Sequence, residues 1–584
     1  MKINKVYKNA MVVMVSLVMG AMATGCSDWN DHYDPSTAVI GSSDATLWEN
    51  ISSNSELSEF AQLLQKSGYD QVLNAPVTYT VWAPLNGTFD FDNLMQEDMA
   101  DLRKEFIQNH IARNNYPASG SIKKSIHMLN KKTMDFVGNG SYTMEDVAVA
   151  QPNLPNANGV MHTLSGKLPY RGNIYEAIEV DEYPLDSLSK FFHSYDKKTF
   201  IQSQSVPGPV VDGMQTYLDS VFEEDNTLYN RYLAYIAKED SNYTMILPTN
   251  TAWDKAYQEM KSAFNYVPSF VIQDPTPGTT IADRTVTVDP AYTRDSMIHN
   301  YIVGGLFYNN NLISNRSLPS QQPGQSYGGD SLVSTIYGKV YKDDASRIFS
   351  SGTRIEKSNG SVWVVDDLNM RSWNTWNPMI KIEAEQSGYR AFVTTGATST
   401  IRVPDNEIND TVPGTLSQSG MYSVKSYLQV TPLTETGNAN IAFYFPGVLS
   451  TTYAIYVVAV PANYTKTFAA TPSLPFRFRA TLGYVNEKGK TATKAFTGTF
   501  ANDPSKVDTI YIGDFEFPMA YLGTGENYPY LRLDGRAVSN QVGKTQDNKM
   551  RFDCLMLVPK ELDTYLKEHP DYKLPSDQIS IYSF

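Results

Sequence analysis

The sequence predicts a multidomain protein in which two α+β domains are followed by an all-β sandwich. A strand motif occurs twice, as YTVWAPLN at Tyr79–Asn86 and as YTMILPTN at Tyr243–Asn250. After Pro378 the chain changes to runs in which apolar and polar residues alternate, a pattern typical of antiparallel sheets. The chain has 584 residues, which is enough for three or four domains.

Each copy of the motif reads as a short buried strand that proline stops, followed by an asparagine that can cap a helix. Apolar residues at helical spacing precede the first copy; Ser53 and Glu56 have the spacing of a capping box, and Gly68 can end this helix. Each copy is followed by an apolar helix that carries a histidine, at Glu105–Arg113 and at Asp295–Gly305. Each half then closes with an Asn-Gly turn and a strand.

This order of elements resembles the fasciclin domain, present as two tandem copies over residues 44–171 and 172–372. Proline and glycine mark two insertions in the second copy as loops, at Phe200–Val211 and at Pro268–Asp289. Both are predicted to lie outside the repeated core.

Three histidines lie at positions resembling the histidine-containing segments of that family: His110, His162 and His299. One interpretation is that they contact a ligand. The other, which we favour, is that each imidazole is buried and hydrogen-bonded to backbone, because buried polar groups are normally paired. In the second copy Trp363 replaces the strand histidine, which indicates a packing position.

The alternating segment, residues 379–560, opens with IKIEAE and nears its end with MRFDCLMLVP. These two stretches resemble the first and last strands of family 6-like carbohydrate-binding modules, which implies a jelly-roll sandwich of the galactose-binding type. Cys554, in the apolar last run, is predicted to be a buried small hydrophobe. The tail 561–584 is predicted to form a short helix and a coil packed outside.

Glu383 and Glu385 alternate along KIEAE, so both side chains are expected on one face of a strand. In the resembling modules such acids, with an aspartate on the last strand, hold a structural calcium; Asp553 matches that aspartate. Hard oxygen ligands suit calcium. The alternative is that these acids face solvent on an edge strand.

The stretch GENYPYLRLDG supplies two tyrosines, Tyr528 and Tyr530, as candidates for stacking on sugar rings. The alternative is that they are turn and core aromatics, because aromatic side chains pack readily.

The N-terminus combines lysines with a short apolar run and the sequence ATGC, which resembles a bacterial lipoprotein signal over residues 1–25. Cleavage before Cys26 would free this cysteine to carry lipid, although Ala23 stands where that signal usually has leucine. The acidic tether 26–43 contains Asp28, Asp31 and Asp34 and resembles the export tag of Bacteroidetes-type surface lipoproteins. The alternatives are an ordinary signal with an incidental cysteine and a plain polar tether.

The formal net charge of −14 argues against a nucleic-acid partner. Neither a His-Glu-x-x-His nor a Gly-x-Ser-x-Gly motif occurs. The phosphate-loop-like GYVNEKGKT lies between two alternating runs, so it is predicted to be a hairpin turn.

Together these observations predict a non-enzymatic lipoprotein, anchored by lipid in the outer membrane and facing the extracellular side. It would bind a glycan or a surface protein, and the resemblance implies a Sus-type TonB-dependent transporter complex as a partner. No cofactor is expected other than the structural calcium. The alternative is an adhesion protein or a structural subunit of a surface complex with no sugar site.

Overall fold

The computed structural model describes residues 43–179, 183–239, 242–272, 284–309, 332–335, 340–341, 345–350, 352–412, 425–522 and 529–572. The predicted signal segment, Cys26 and the tether up to residue 42 lie outside these residues. The chain divides into two compact units, one of residues 1–171 and 197–225 and the other of residues 172–196 and 226–584. Within the described residues, every helix is too short or too polar to cross a membrane.

The first unit contains a mixed sheet and a layer of helices. The strands are β1 (Tyr79–Pro84), β2 (Ile111–Arg113), β3 (Ser121–His127), β4 (Thr133–Asn139), β5 (Ser141–Met144), β6 (Val147–Asn156) and β7 (Gly159–Leu164). The helices are α1 (Leu47–Ser53), α2 (Ser58–Ser67), α3 (Tyr69–Asn74), α4 (Phe91–Gln96) and α5 (Met99–Asp101). The sheet order is β2-β1-β7-β6-β5-β4-β3, with β1 parallel to β7 and antiparallel to β2.

Of the two helix boundaries predicted before β1, the end at Gly68 is confirmed and the capping box at Ser53 and Glu56 is not. Gly68 ends α2 with a φ of 78°, as predicted. The capping box predicted at Ser53 and Glu56 is wrong: Thr46 and Glu49 form the box, at the start of α1. Asn54 instead accepts a hydrogen bond from the Glu56 amide, at 2.9 Å.

The helix predicted at Glu105–Arg113 is shorter than expected. A π-helical turn covers Leu102–Ile107, a 3₁₀ turn covers Gln108–His110, and the chain then becomes strand β2. The pairing of β2 with β1 takes these last residues out of the helix.

The first predicted insertion forms strands rather than the predicted loop. Two ladders pair β8 (Asp196–Phe200) with β11 (Phe222–Asn226) and β9 (Val206–Val211) with β10 (Met214–Asp219). A two-stranded ladder leaves one edge of each strand free, so β9 accommodates its two prolines. We call residues 197–225 the inserted arm.

The inserted arm packs on the rest of the first unit. Val206 is 1% exposed and belongs to the same core as α2 and β1. The Arg113 guanidinium donates to the Gln204 carbonyl, and Lys131 Nζ donates to the Phe222 carbonyl at 3.0 Å. Asp219 is half-buried, and this burial raises the pKa of its carboxyl group.

The second unit begins with a domain that repeats the central strands of the first. Its helices are α6 (Asp186–His193), α7 (Leu228–Tyr232), α8 (Asn250–Lys261), α9 (Pro290–Gly304) and α10 (Ala345–Ile348). Its strands are β12 (Tyr243–Pro248), β13 (Ser269–Ile272), β14 (Arg284–Thr287), β15 (Phe307–Asn309), β16 (Leu332–Val333), β17 (Val340–Tyr341), β18 (Thr353–Lys357) and β19 (Gly360–Val365). The main sheet has the order β15-β12-β19-β18, with β12 parallel to β19.

Two predictions for this domain have opposite outcomes. The helix predicted at Asp295–Gly305 is confirmed as the second half of α9. The loop predicted at Pro268–Asp289 is wrong at both ends, because β13 and β14 pair there as an antiparallel ladder. Residues 273–283 of that insertion lie outside the described residues.

A β-sandwich follows. Its strands are β20 (Ile380–Glu383), β21 (Arg390–Val393), β22 (Gly396–Arg402), β23 (Ser426–Pro432), β24 (Asn440–Tyr444), β25 (Thr452–Ala459), β26 (Arg477–Val485), β27 (Thr491–Ala495), β28 (Phe500–Ala501), β29 (Asp508–Glu516), β30 (Tyr530–Gly535) and β31 (Met550–Pro559). The first sheet has the order β22-β23-β31-β25-β29 with β20 on β31, and the second has the order β21-β24-β30-β26-β27 with β28 on β26. GYVNEKGKT is the β26–β27 hairpin, as predicted.

The two sheets of the sandwich differ in what covers their outer faces. Apolar residues of both sheets form the core between them. On the outer face of the first sheet a second apolar layer includes Cys554, which is fully buried as predicted, and Leu562 of helix α11 (Lys560–Glu568). Helix α11 confirms the helix predicted in the tail; residues 573–584 lie outside the described residues.

Candidate functional site

Strand β31 contains a β-bulge at Asp553 and Cys554, where it pairs with β25 in the first sheet. Val457 of β25 faces Leu555 of β31, whereas Ala459 faces Phe552, so two residues of β31 oppose one of β25. Phe552 and Leu555 both point into the sandwich core. Such a β-bulge re-aims side chains, and here it accommodates Asp553 and Cys554 between the two core residues.

Asp553 is completely buried, so the alternative of a solvent-facing acid on an edge strand does not describe it. Ligand atoms of Glu383, Asp553 and Cys554 lie within 4.8 Å of one another. Among the described residues, neither carboxylate oxygen of Asp553 has a hydrogen-bond partner, and one oxygen each of Glu383 and Glu385 also has none. Buried carboxylates without partners are costly, which marks this carboxylate cluster as a candidate cation site.

The expectation that Glu383 and Glu385 share one strand face is wrong. Strand β20 ends at Glu383, and the amide of Gln386 donates to the Glu383 carbonyl at 3.2 Å as the chain turns. Glu385 therefore lies beyond the strand, where Ser426 Oγ donates a hydrogen bond to its carboxylate. It still contributes to the electrostatic field at Asp553, whose pKa its charge raises slightly.

Lys381 also belongs to this cluster and was not predicted from the sequence. Its side chain is 2% exposed, and its Nζ lies 2.7 Å from Glu383 Oε1. Burial alone would lower the pKa of Lys381, but the neighbouring acidic groups, Glu383 and Asp553 among them, raise it above its ordinary value. The alternation Lys381–Glu383 along β20 was the available signal, because residues two apart on a strand share a face.

Burial is the main influence on the acids. Burial, assisted by the neighbouring charge of Glu383, raises the pKa of Asp553 to about 8. Burial also raises the pKa of Glu383, which Lys381 partly opposes. The cluster thus needs either protons or a cation, and its oxygen donors match those that calcium prefers. The Cys554 thiol, whose pKa burial raises, stays protonated and is a poor ligand.

A second candidate site is the outer face of the second sheet. Three cross-strand rows run over β24, β30 and β26: Asn440–Asp534–Arg479, Ala442–Arg532–Thr481 and Tyr444–Tyr530–Gly483. Arg532 Nε donates to Asp534 Oδ2 at 3.0 Å, and their side chains are 40% and 17% exposed. We call this surface the open face. It offers planar charged groups beside the half-buried ring of Tyr444.

Tyr530 lies at the base of the open face and is only 7% exposed. Its ring packs against Phe392, with centroids 5.9 Å apart, and lies directly over Gly483. The packing alternative therefore describes Tyr530 in this structure. Tyr528 lies outside the described residues.

In the first domain the histidines are buried and hydrogen-bonded to backbone groups, which confirms the interpretation favoured from the sequence. His110 Nδ1 donates to the Phe106 carbonyl at 2.7 Å, and His110 Nε2 accepts from the Leu168 amide at 2.9 Å. His162 Nε2 donates to the Tyr116 carbonyl at 3.0 Å and its Nδ1 accepts from the Asn153 amide. Burial lowers the pKa of both imidazoles to about 4, so they are neutral structural groups.

The same interpretation is wrong for His299. It lies among the rings of Phe191, Trp253 and Tyr257, and makes no hydrogen bond with a described residue. It also precedes strand β15 by two helical turns, whereas His110 directly precedes β2. Trp363 is a packing residue, as predicted: its ring stacks on Phe349 with centroids 4.4 Å apart.

The architecture is that of a multidomain protein with two α+β domains before a β-sandwich. Residues 55–168, most of the first domain, match the family model of the fasciclin domain. The comparison with curated proteins gave no match.

Solved structures show weak similarity. A FAS1 domain pair from the insect cell adhesion molecule fasciclin I is 12% identical, with a TM-score of 0.20, over 55% of this chain and 98% of that chain. The C-terminal family 22 carbohydrate-binding module of Clostridium thermocellum Xyn10B is 15% identical, with a TM-score of 0.16, over 30% of this chain and 97% of that chain. A pectin-binding carbohydrate-binding module is 8% identical, with a TM-score of 0.14, over 28% and 91%. These TM-scores are too low to carry an argument about function.

Proposed function

We propose that this chain is a non-enzymatic ligand-binding protein of the cell surface, and that the open face of its sandwich binds glycan. The observation that carries the proposal is the contrast between the two sheets. Helix α11 and its neighbouring segments cover the outer face of the first sheet, whereas the second sheet presents a partly exposed row of charged and aromatic side chains.

The chemistry of the open face suits a sugar chain. Arg532 and Asp534 present planar hydrogen-bonding groups that match pairs of hydroxyls, and Arg479 extends this row. Tyr444 lies one row away and offers an apolar ring surface to the C–H side of a sugar. The strand pairing fixes the spacing of these residues across the sheet.

A glycan array probed with the full chain tests this proposal. We expect wild type to bind a defined subset of glycans, and Arg532→Ala and Tyr444→Ala to weaken that signal strongly. Tyr292→Ala is the matched control, because Tyr292 is 74% exposed on α9, outside the sandwich. Binding that survives both substitutions in the open face would place the ligand elsewhere.

Calcium at the carboxylate cluster is the structural part of the proposal. Asp553 and Glu383 supply unpartnered oxygens, Glu385 lies beyond the strand end, and Lys381 already neutralises one oxygen of Glu383. Calcium would compensate the remaining negative charge and join β20 to β31, two strands that pair from Ile380 to Glu383.

The cellular location is proposed from sequence alone. Lipidation of Cys26 would anchor the chain in the outer membrane, and the acidic tether would direct it to the extracellular side. Cys26→Ala should then release the chain from the membrane fraction, with Cys554→Ser as the second-cysteine control. Retention of Cys26→Ala in the membrane fraction would rule out this anchor.

One observation favours adhesion or subunit docking as a second candidate function. The inserted arm exposes apolar side chains at its tip: Val210 is 64%, Val211 50% and Met214 71% exposed. Exposed apolar clusters mark protein contacts. A Sus-type transporter is the partner we propose; co-purification that is lost with Val210→Asp and Met214→Asp would support docking through the arm.

A further inference from the structure

The second α+β domain contains a cavity that the proposed function does not use. It lies between helices α8 and α9 and the segment 367–376, and its volume is about 210 Å³. Its chemically distinctive lining residues are Lys255, Glu259, Tyr301, Arg347, Asp367 and Trp376. All belong to the second unit, at a distance in sequence from the open face of the sandwich.

Two aromatic residues form part of the cavity wall. Tyr301 and Trp376 both pack against Phe264, with ring centroids 5.5 Å and 6.2 Å apart. Neither the Tyr301 hydroxyl nor the Trp376 indole N–H has a hydrogen-bond partner among the described residues. Burial raises the pKa of Tyr301 to about 12, so its hydroxyl remains a neutral donor.

The charged groups of the lining balance one another. Lys255 Nζ pairs with the Asp367 carboxylate, and Arg347 donates to the Asn369 carbonyl. Glu259, one helical turn after Lys255, adds a carboxylate, and burial raises the pKa of this group. Two cationic and two anionic side chains leave the lining without net charge, so it favours neither an anion nor a cation.

We propose that this cavity binds a single neutral pyranose sugar. Such a ligand presents hydroxyl pairs to charged planar side chains and a C–H face to aromatic rings, which matches both halves of the lining. The size also fits: an engineered apolar cavity of about 150 Å³ takes benzene, whereas drug-sized ligands need roughly 300 Å³ or more. This inference does not depend on glycan binding by the open face.

Isothermal titration calorimetry of the full chain with D-galactose, D-glucose, D-mannose and N-acetyl-D-glucosamine tests the proposal. A ligand of about a dozen non-hydrogen atoms is expected to bind with a Kd on the order of 1 mM. Tyr301→Phe and Glu259→Gln should each raise that Kd about fivefold or more, because the first removes a hydroxyl group and the second replaces a charged acceptor with a neutral amide. Their matched controls, Tyr292→Phe on α9 and Asp254→Asn on α8, should bind as wild type does.

Two further measurements separate sugar binding at the cavity from glycan binding at the open face. Arg532→Ala should leave monosaccharide binding at the cavity unchanged, and Tyr301→Phe should leave array binding by the open face unchanged. The proposal is overturned if none of the four sugars binds, if Tyr301→Phe and Glu259→Gln both bind like wild type, or if Arg532→Ala abolishes the monosaccharide signal.

Discussion

His162 and Trp363 occupy the same place in two parallel strand pairs. His162 is the fourth residue of β7 and lies opposite Trp82, the fourth residue of β1; Trp363 is the fourth residue of β19 and lies opposite Ile246, the fourth of β12. His162 stacks on Trp82, and Trp363 stacks on Phe349. Both side chains therefore pack against an aromatic ring, although they differ in chemistry.

The buried histidines predict an acid-sensitive first domain. The pKa of His110 and of His162 is about 4 in the fold, below the ordinary value of 6.5. Between these values the unfolded chain binds more protons than the folded chain, so the free energy of unfolding decreases as the pH falls from about 6.5 to 4. Calorimetric Tm values across this range should fall for wild type and fall less for His162→Gln. The control, His127→Gln, changes an exposed histidine of β3; a flat wild-type profile would contradict the prediction.

Gly483→Ala should destabilise the sandwich. A Cβ at this position would lie 2.3 Å from two ring atoms of Tyr530. The ring has to move, at a cost of about 1–3 kcal/mol. Gly388→Ala is the control, because a Cβ there meets nothing within 4 Å. Urea unfolding measures both; equal stabilities of the two variants would show that Tyr530 does not rest on Gly483.

Chelation should destabilise the sandwich if calcium occupies the carboxylate cluster. A ligand present at 100 times its Kd stabilises the fold by about 2.7 kcal/mol. We expect the Tm of the full chain to fall in EDTA and to recover with added CaCl₂, and Asp553→Asn to lose this response. Glu487→Gln, an exposed acid in the β26–β27 turn, should keep it. Identical wild-type Tm values in EDTA and CaCl₂ would contradict the prediction, because Lys381 and bound protons alone would then neutralise the negative charge of the cluster.

Arg113→Ala should loosen the inserted arm. The substitution removes the hydrogen bond to the Gln204 carbonyl and a cation that opposes the raised pKa of Asp219. Limited proteolysis followed by mass spectrometry should find faster cleavage within residues 197–225. Lys123→Ala, on the exposed face of β3, is the control. Cleavage at the wild-type rate would mean that Val206 and its apolar neighbours hold the arm without this contact.

Local patterns in the sequence predicted the elements that local forces determine. The repeated motif that begins at Tyr79 and at Tyr243 predicted the central strand of each domain, and both strands are present. Gly68 predicted the end of α2, because glycine readily adopts the positive φ found there. Alternation after Pro378 gave the sandwich.

Tertiary pairing decided what the sequence missed. The bulge at Asp553 depends on its register against β25, and β20 ends at Glu383 because its own chain turns there while its partner β31 continues to Met550. The inserted arm was expected to be a loop because proline and glycine are loop formers. Its strands pair as two ladders, and Val206 of β9 is buried in the core of the first unit.

The central claim is that the open face of the sandwich binds glycan, and one titration tests it most directly. The oligosaccharide that gives the strongest array signal is titrated by calorimetry into wild type, Arg532→Ala and Tyr292→Ala. We expect wild type and Tyr292→Ala to bind with equal affinity and Arg532→Ala to bind at least about tenfold more weakly, as for loss of a charge-assisted hydrogen bond. Equal affinity of all three proteins would contradict the claim.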